Sequence, residues 1–172
     1  MAQATIDQIR SSVVHSSTRA VYIEVTAASN TFNLAAIRAE SNGVNVDVTE
    51  EDVPDVTAKS AATEVTEYKL STDIESVYLS EDPIHEMVEG FILGQTTGSA
   101  THKRVLIVHL NSTLDGIEDA WIASDATISA KGLPNEAQNN SKISYSINYG
   151  TLAVQDKTKL TLGDAVITLA AN

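Results

Sequence analysis

The feature that most constrains the fold is a strict alternation of side chains between residues 142 and 149. In KISYSINY, large apolar residues at Ile143, Tyr145, Ile147 and Tyr149 alternate with small polar or charged ones. Successive side chains of a β-strand point to opposite faces, so the segment predicts a strand with one apolar and one polar face. The stretch WIASDATISA predicts a partner strand at about Ala120–Ala130. A chain of such half-apolar strands has to bury one face of a sheet.

Further strand patterns lie on both sides of this pair. The segments AVYIEVTA and TFNLAAIRAE flank a turn at Ser29-Asn30 and predict a first hairpin, and Asn42-Gly43 followed by alternating valines predicts a second. The run KRVLIVHLN is apolar on both faces, which indicates a central strand. We therefore predict an antiparallel β-sandwich or barrel in a single domain, residues 20–172, after an N-terminal arm, residues 1–19.

One helix and one long loop complete the predicted architecture. The segment DPIHEMVEGFIL carries its apolar residues at helical spacing and has Pro83 in the first turn, which predicts a flanking α-helix at about residues 82–93. The stretch EEDVPDVTAKSAATE predicts an acidic loop at about residues 50–64. A loop of that length in a compact domain is either mobile or held by a neighbour.

Charge and composition exclude several functional classes. The chain has 11 basic and 23 acidic residues, a net charge of −12, which disfavours tight binding to phosphate backbones or anionic membranes. It contains 0 cysteines, so disulfides, thiolate metal sites and cysteine nucleophiles are excluded. No apolar run has the length of a signal-peptide core or a membrane span. We expect synthesis in the cytoplasm and no membrane anchor.

No arrangement of residues predicts catalysis, a metal or a cofactor. No two of the four histidines have a metal-binding spacing; they are His15, His85, His102 and His109. Neither a G-x-S-x-G elbow nor a glycine-rich phosphate loop occurs in the sequence. The segment DVTEEDVPD has carboxylates enough for Ca²⁺ but lacks the D-x-D-x-D-G order, so an acidic loop is favoured. We predict that the protein is not an enzyme and has no cofactor.

Two features indicate interaction surfaces. Between Val65 and Leu79 an apolar face alternates with an acidic, solvated one that carries Glu67, Asp73 and Glu75. Trp121 has two interpretations, a core residue of its strand or an anchor for contact with another subunit, and the sequence leaves both open.

The order of these elements resembles a known family. An acidic strand face, a long polar loop, one central helix and the late pair WIASDATISA and SKISYSINYG resemble the major tail, or tail tube, proteins of long-tailed bacteriophages. That family is related in fold to the tubes of contractile injection systems. The resemblance covers most of residues 20–155 and rests on the arrangement of elements, without a diagnostic motif.

The resemblance implies a structural virion protein that stacks in hexameric rings to form a conduit for viral DNA. It implies copies of itself as the main partner, other tail proteins such as the tape measure and the terminator as further partners, and DNA that passes without specific binding. Glu67, Asp73 and Glu75 would face the lumen. The loop with Glu50, Glu51, Asp52 and Asp55 would contact the next ring.

Other functions are compatible with the same composition. A capsid-decorating or head-tail joining protein would have similar strands and charge. An extracellular ligand-binding β-sandwich module would be expected to carry clustered exposed aromatic residues, whereas this chain has 1 tryptophan and 5 tyrosines spread along its length.

Overall fold

The computed structural model describes residues 19–35, 39–41, 44–53, 62–110, 116–132, 142–163 and 165–171. These residues form one antiparallel sheet of 11 strands and one α-helix, α1, at Pro83–Leu93. The strands are β1 Arg19–Ile23, β2 Thr31–Leu34, β3 Ala39–Ser41, β4 Val44–Val53, β5 Ala62–Val77, β6 His102–Leu110, β7 Ile117–Gly132, β8 Lys142–Asn148, β9 Leu152–Val154, β10 Leu160–Leu162 and β11 Val166–Leu169. The predicted mainly antiparallel β class with one helix is confirmed, and the sheet is not closed. The predicted N-terminal arm lies outside the described residues, apart from Arg19.

The sheet follows the order β10-β11-β2-β1-β6-β7-β8-β5-β3, with β4 paired to β5 and β9 paired to β7. The predicted strands at Ala120–Ala130 and Lys142–Tyr149 are β7 and β8, and they pair as expected. The predicted first hairpin is the pair β1 and β2.

Core residues lie on both faces of the central strands β1 and β6. Val21 and Ile107 belong to a cluster that includes the buried apolar residues of α1, β5 and β8. Tyr22 and Leu106, the alternate positions, belong to a second cluster with β2 and β11. The run KRVLIVHLN is therefore buried on both faces, as its composition predicts, because each face meets its own apolar cluster.

The helix forms where its sequence predicts it. The Asp82 carboxylate caps the helix by accepting hydrogen bonds from the backbone N–H groups of Ile84 at 2.8 Å and His85 at 3.4 Å. Ile84 and Val88 are buried in the first core cluster, so α1 covers one face of the sheet. None of the helices in the described segments is long and apolar enough to span a membrane.

Two sequence predictions need correction. Strands β3 and β4 do not form a hairpin, because both pair with β5, one after the other along the same strand; Asn42 and Gly43 lie outside the described residues. The acidic loop is shorter than residues 50–64, because β4 continues to Val53 and β5 begins at Ala62. Cross-strand pairing of β4 with β5 thus outweighs the polar composition of the loop ends.

A buried ion pair fixes the turn between β1 and β2. Glu24 is 2% exposed and accepts hydrogen bonds from Arg104 Nε and from the backbone N–H of Asn30, each at 2.8 Å. The Arg104 guanidinium also donates to Asn30 Oδ1 at 2.8 Å and lies 5.3 Å from the centre of the Phe32 ring. Burial alone would raise the pKa of the Glu24 carboxyl, but the bonds from Arg104 and Asn30 outweigh it and the pKa is lowered.

Glu24→Ala should therefore lower the free energy of unfolding by about 3 kcal/mol, since it leaves the Arg104 charge and the Asn30 N–H without their acceptor. Urea unfolding at pH 7 measures the change. The exposed carboxylate variant Asp119→Ala is the control and should leave stability nearly unchanged. A loss no larger for Glu24→Ala than for the control would contradict the structural role of this pair.

Candidate assembly surfaces

One side of the neighbouring strands β5, β8 and β7 carries polar side chains and is here called the polar face. Asp73 of β5 lies opposite Ser146 of β8, and Ser146 lies opposite Ser129 of β7. The adjacent positions in each strand, Ile74, Tyr145 and Ile128, point into the core. The polar face is thus the reverse side of the half of the sheet that α1 covers.

The carboxylates of this surface are paired with lysines. Lys131 Nζ contacts Asp73, and Lys142 Nζ contacts Glu75 Oε1 at 2.8 Å. Glu67, further along the same side of β5, lies 3.2 Å from Lys69 Nζ. All three residues predicted to face the lumen are exposed, and each has a lysine at ion-pair distance.

Part of the β4–β5 hairpin projects beyond the sheet, and residues 45–50 and 65–69 of it are here called the ribbon. Every side chain of the ribbon is exposed. Strand β8 pairs with β5 only from Ser71 onward, so in the ribbon β5 has a described partner on one side only. A two-stranded ribbon exposed on both faces is marginal in water, which makes it a candidate for contact with another molecule.

A β-bulge gathers the apolar side chains of the ribbon on one face. The register shifts between Thr49 and Glu50, so that Val48 lies opposite Tyr68 and Glu50 lies opposite Val65. Thr66 is the extra residue, and its hydroxyl bonds the Thr49 carbonyl at 3.1 Å. The resulting row, here called the apolar stripe, consists of Val46 (53% exposed), Val48 (45%), Val65 (45%) and Tyr68 (61%).

The residues predicted to contact the next ring belong to a strand end instead of a loop. Glu50, Glu51 and Asp52 all lie in β4. Glu50 is exposed on the same face as the apolar stripe, since it lies directly opposite Val65. Asp55 lies outside the described residues.

Trp121 is half-buried at the outer part of the first core cluster. It lies between Ile107 of β6 and Val154 of β9 in the sheet, and Val154 is 83% exposed. The side chain thus packs against the core, and the role of Trp121 as a contact anchor stays a prediction.

The closest contact between a serine and a histidine in the described segments is at His85. Ser76 Oγ lies 2.8 Å from His85 Nε2, and the backbone N–H of Leu79 donates to Nδ1 at 3.0 Å. An N–H donor to Nδ1 requires that nitrogen to be unprotonated, so in the neutral ring Nε2 carries the proton and donates to Ser76. The ring therefore cannot accept the serine proton, and the pair lacks the chemistry of a nucleophile and its base.

Within the described segments, no three histidine, aspartate or glutamate side chains come together as a possible metal site. His102 Nδ1 lies 2.7 Å from Asp125, and His109 Nδ1 lies 3.6 Å from Glu118, each as a separate surface pair between β6 and β7. The acidic segment considered for Ca²⁺ is described only through Val53, and that part of it is a strand.

Comparisons with known proteins find the fold but no sequence family. No family model and no curated protein matches the chain. A chain from the tail of an empty gene transfer agent particle, in a structure with C6 symmetry, is 11% identical, has a TM-score of 0.53 and matches over 80% of this chain and 95% of its own. A chain from the six-fold symmetrised baseplate of the anti-feeding prophage is 14% identical, with a TM-score of 0.52 over 83% and 95%. A chain from the virion of a native gene transfer agent particle is 10% identical, with a TM-score of 0.52 over 81% and 96%.

The geometry at His85 predicts a loss of stability in acid. Burial lowers the pKa of His85 from its usual value of 6.5, so below about pH 6.5 the unfolded chain binds a proton that the folded chain does not. The free energy of unfolding should fall as pH decreases below that value, by at most about 1.4 kcal/mol per pH unit from this group. Urea unfolding between pH 7 and pH 5 tests this, and His85→Gln should flatten the slope. Equal slopes in the two proteins would contradict the assignment.

Proposed function

We propose that the chain is a structural subunit of a particle tail, a tail tube protein whose copies assemble into hexameric rings that stack into a conduit for DNA. The observation that carries the proposal is the fold shared with a chain of a C6-symmetric particle tail over 80% of this chain. The open sheet supports it, because the strand edges that a lone molecule exposes would find partners in neighbouring copies.

The polar face is proposed to line the channel of the tube. It carries serine hydroxyls and carboxylates paired with lysines, among them Asp73 and Glu75. Among the described residues of this surface there is no row of unpaired cations to which phosphates could bind. Glu67 extends it along the ribbon. DNA would then pass without specific binding.

The outer end of the β4–β5 hairpin is proposed to contact the next ring, through Glu50, Glu51, Asp52 and Asp55. A projecting segment with few contacts to its own domain is free to order against a neighbour. Trp121 is proposed as a contact residue at the edge of the core. Other tail proteins, such as a tape measure inside the tube and a terminator at its end, would be the further partners.

Purified protein at high concentration should form regular hollow filaments in negative-stain electron microscopy, with six-fold symmetry in end views. Dilution should return it to smaller species, since assembly depends on concentration. Monodisperse monomers or trimers at every concentration would contradict the proposal and favour a decorating or joining protein.

A second prediction concerns the charge of the polar face. The double variant Asp73→Asn/Glu75→Gln should bind labelled DNA oligonucleotides at low salt, because the lysines lose their carboxylate partners, with a salt dependence of log K of about −2 for two phosphate contacts. Fluorescence anisotropy at increasing salt measures this. Lys131→Gln/Lys142→Gln is the matched control and should bind no better than the unmodified protein. Equal behaviour of the two double variants would contradict the proposed masking of the lysines.

A further inference from the structure

A groove of about 470 Å³ lies between the C-terminal end of α1 and strand β7. Its apolar part is formed by Phe91, Ile92, Ile128 and Ala130, and its rim carries the hydroxyls of Thr96 and Thr97. Phe91 and Ile92 are only half-buried, so the groove presents apolar surface to solvent. Such a combination suits a side chain with an apolar body and a hydroxyl tip.

The groove also contains an open strand edge. Strand β6 pairs with β7 only as far as Thr127, whereas β8 pairs with β7 from Thr127 to Gly132. At residues 128–130, which line the groove, β7 therefore has a described strand partner on one side only. An extended segment with its own open edge can be accommodated there.

The ribbon of the same chain has the complementary features. Its apolar stripe contains Tyr68, an aromatic ring with a hydroxyl, 61% exposed and beside two exposed valines. None of the residues that line the groove belongs to the ribbon. Thr72 and Ile128 both lie opposite Ile147, so they are at the same level of the sheet. From that level the ribbon extends in one direction along the strands, and Ala130 of the groove lies in the other direction. A chain's own ribbon thus points away from its own groove.

We propose that the ribbon of one copy occupies the groove of a second copy, with the Tyr68 ring against Phe91 and Ile92 and its hydroxyl near Thr96 and Thr97. The stripe and the groove are different surfaces of one chain, so a copy can offer its groove to one neighbour and its ribbon to another, and repetition of this head-to-tail contact builds a ring or a stack. The inference rests on the proposed tube function and names the surface that a neighbouring copy uses. The valines of the stripe exclude water around the tyrosine.

Cross-linking tests this contact directly, because the chain has 0 cysteines and each introduced thiol is unique. Val48→Cys, on the stripe beside Tyr68, is mixed with Thr97→Cys on the groove rim, and a short bismaleimide is added under assembly conditions. A heterodimer is expected. Two matched controls should give several-fold less product. Thr49→Cys, on the opposite face of the ribbon, replaces Val48→Cys, and Asn148→Cys, on the polar face, replaces Thr97→Cys. All four sites are exposed, so the variants should fold.

Assembly itself provides the second measurement. Tyr68→Ala should raise the concentration needed for filaments by about 10-fold or more, as for a central aromatic anchor, and Tyr68→Phe should raise it less. Thermal unfolding of the isolated subunit should change little, since Tyr68 is exposed.

The outcomes separate the contact from the tube. Filaments without the Val48–Thr97 cross-link, or with equal cross-linking by the controls, overturn the contact and leave the tube function standing. The cross-link in small oligomers without filaments supports the contact and counts against the tube. If neither filaments nor the cross-link form, both the contact and the tube function are overturned.

Discussion

The structure depends on the pairing of strand β5, which is longer than the sheet that holds it. β5 has 16 residues, and β8 pairs with it only from Ser71 to Val77. Backbone N–H and C=O groups have to be hydrogen-bonded, and a strand that extends beyond its neighbour exposes a row of them. On its other side β5 takes β4 as partner, and the resulting ribbon carries the excess length out into solvent. The ribbon and its one-sided pairing both follow from this mismatch.

The sequence predicted the positions of the helix and strands better than it predicted which strands pair. The helix at residues 82–93 and the strands β7 and β8 were predictable because their periodicity is strong and Asp82 and Pro83 mark the helix start. The pairing of β3 and β4 along β5 was not, because an Asn-Gly dipeptide favours a tight turn locally and cannot report which strand lies alongside. The acidic composition of residues 50–53 predicted a loop, whereas these residues form the end of β4 and pair with β5.

The candidate surfaces were predictable in part. Alternation correctly assigned Glu67, Asp73 and Glu75 to the exposed side of β5. Their lysine partners could not be foreseen, because Lys131 and Lys142 lie more than 50 residues away in sequence, at separations of 58 and 67, and only the sheet register brings them near. The groove beside α1 left no sequence signal either, because Phe91 and Ile92 fit the apolar side of any amphipathic helix.

The bulge at Thr66 also determines how this hairpin can change length over evolutionary time. A single extra residue reverses the inside-outside parity of everything that follows it along one strand. Deleting Thr66 would therefore restore a regular pairing, in which Val65 stays opposite Glu50 and Glu67 stays opposite Thr49. At a regularly paired position of a strand, the loss of one residue would instead exchange the two faces of the segment beyond it. The bulge is thus the place where descendants of this chain can lose one codon with the surface pattern intact.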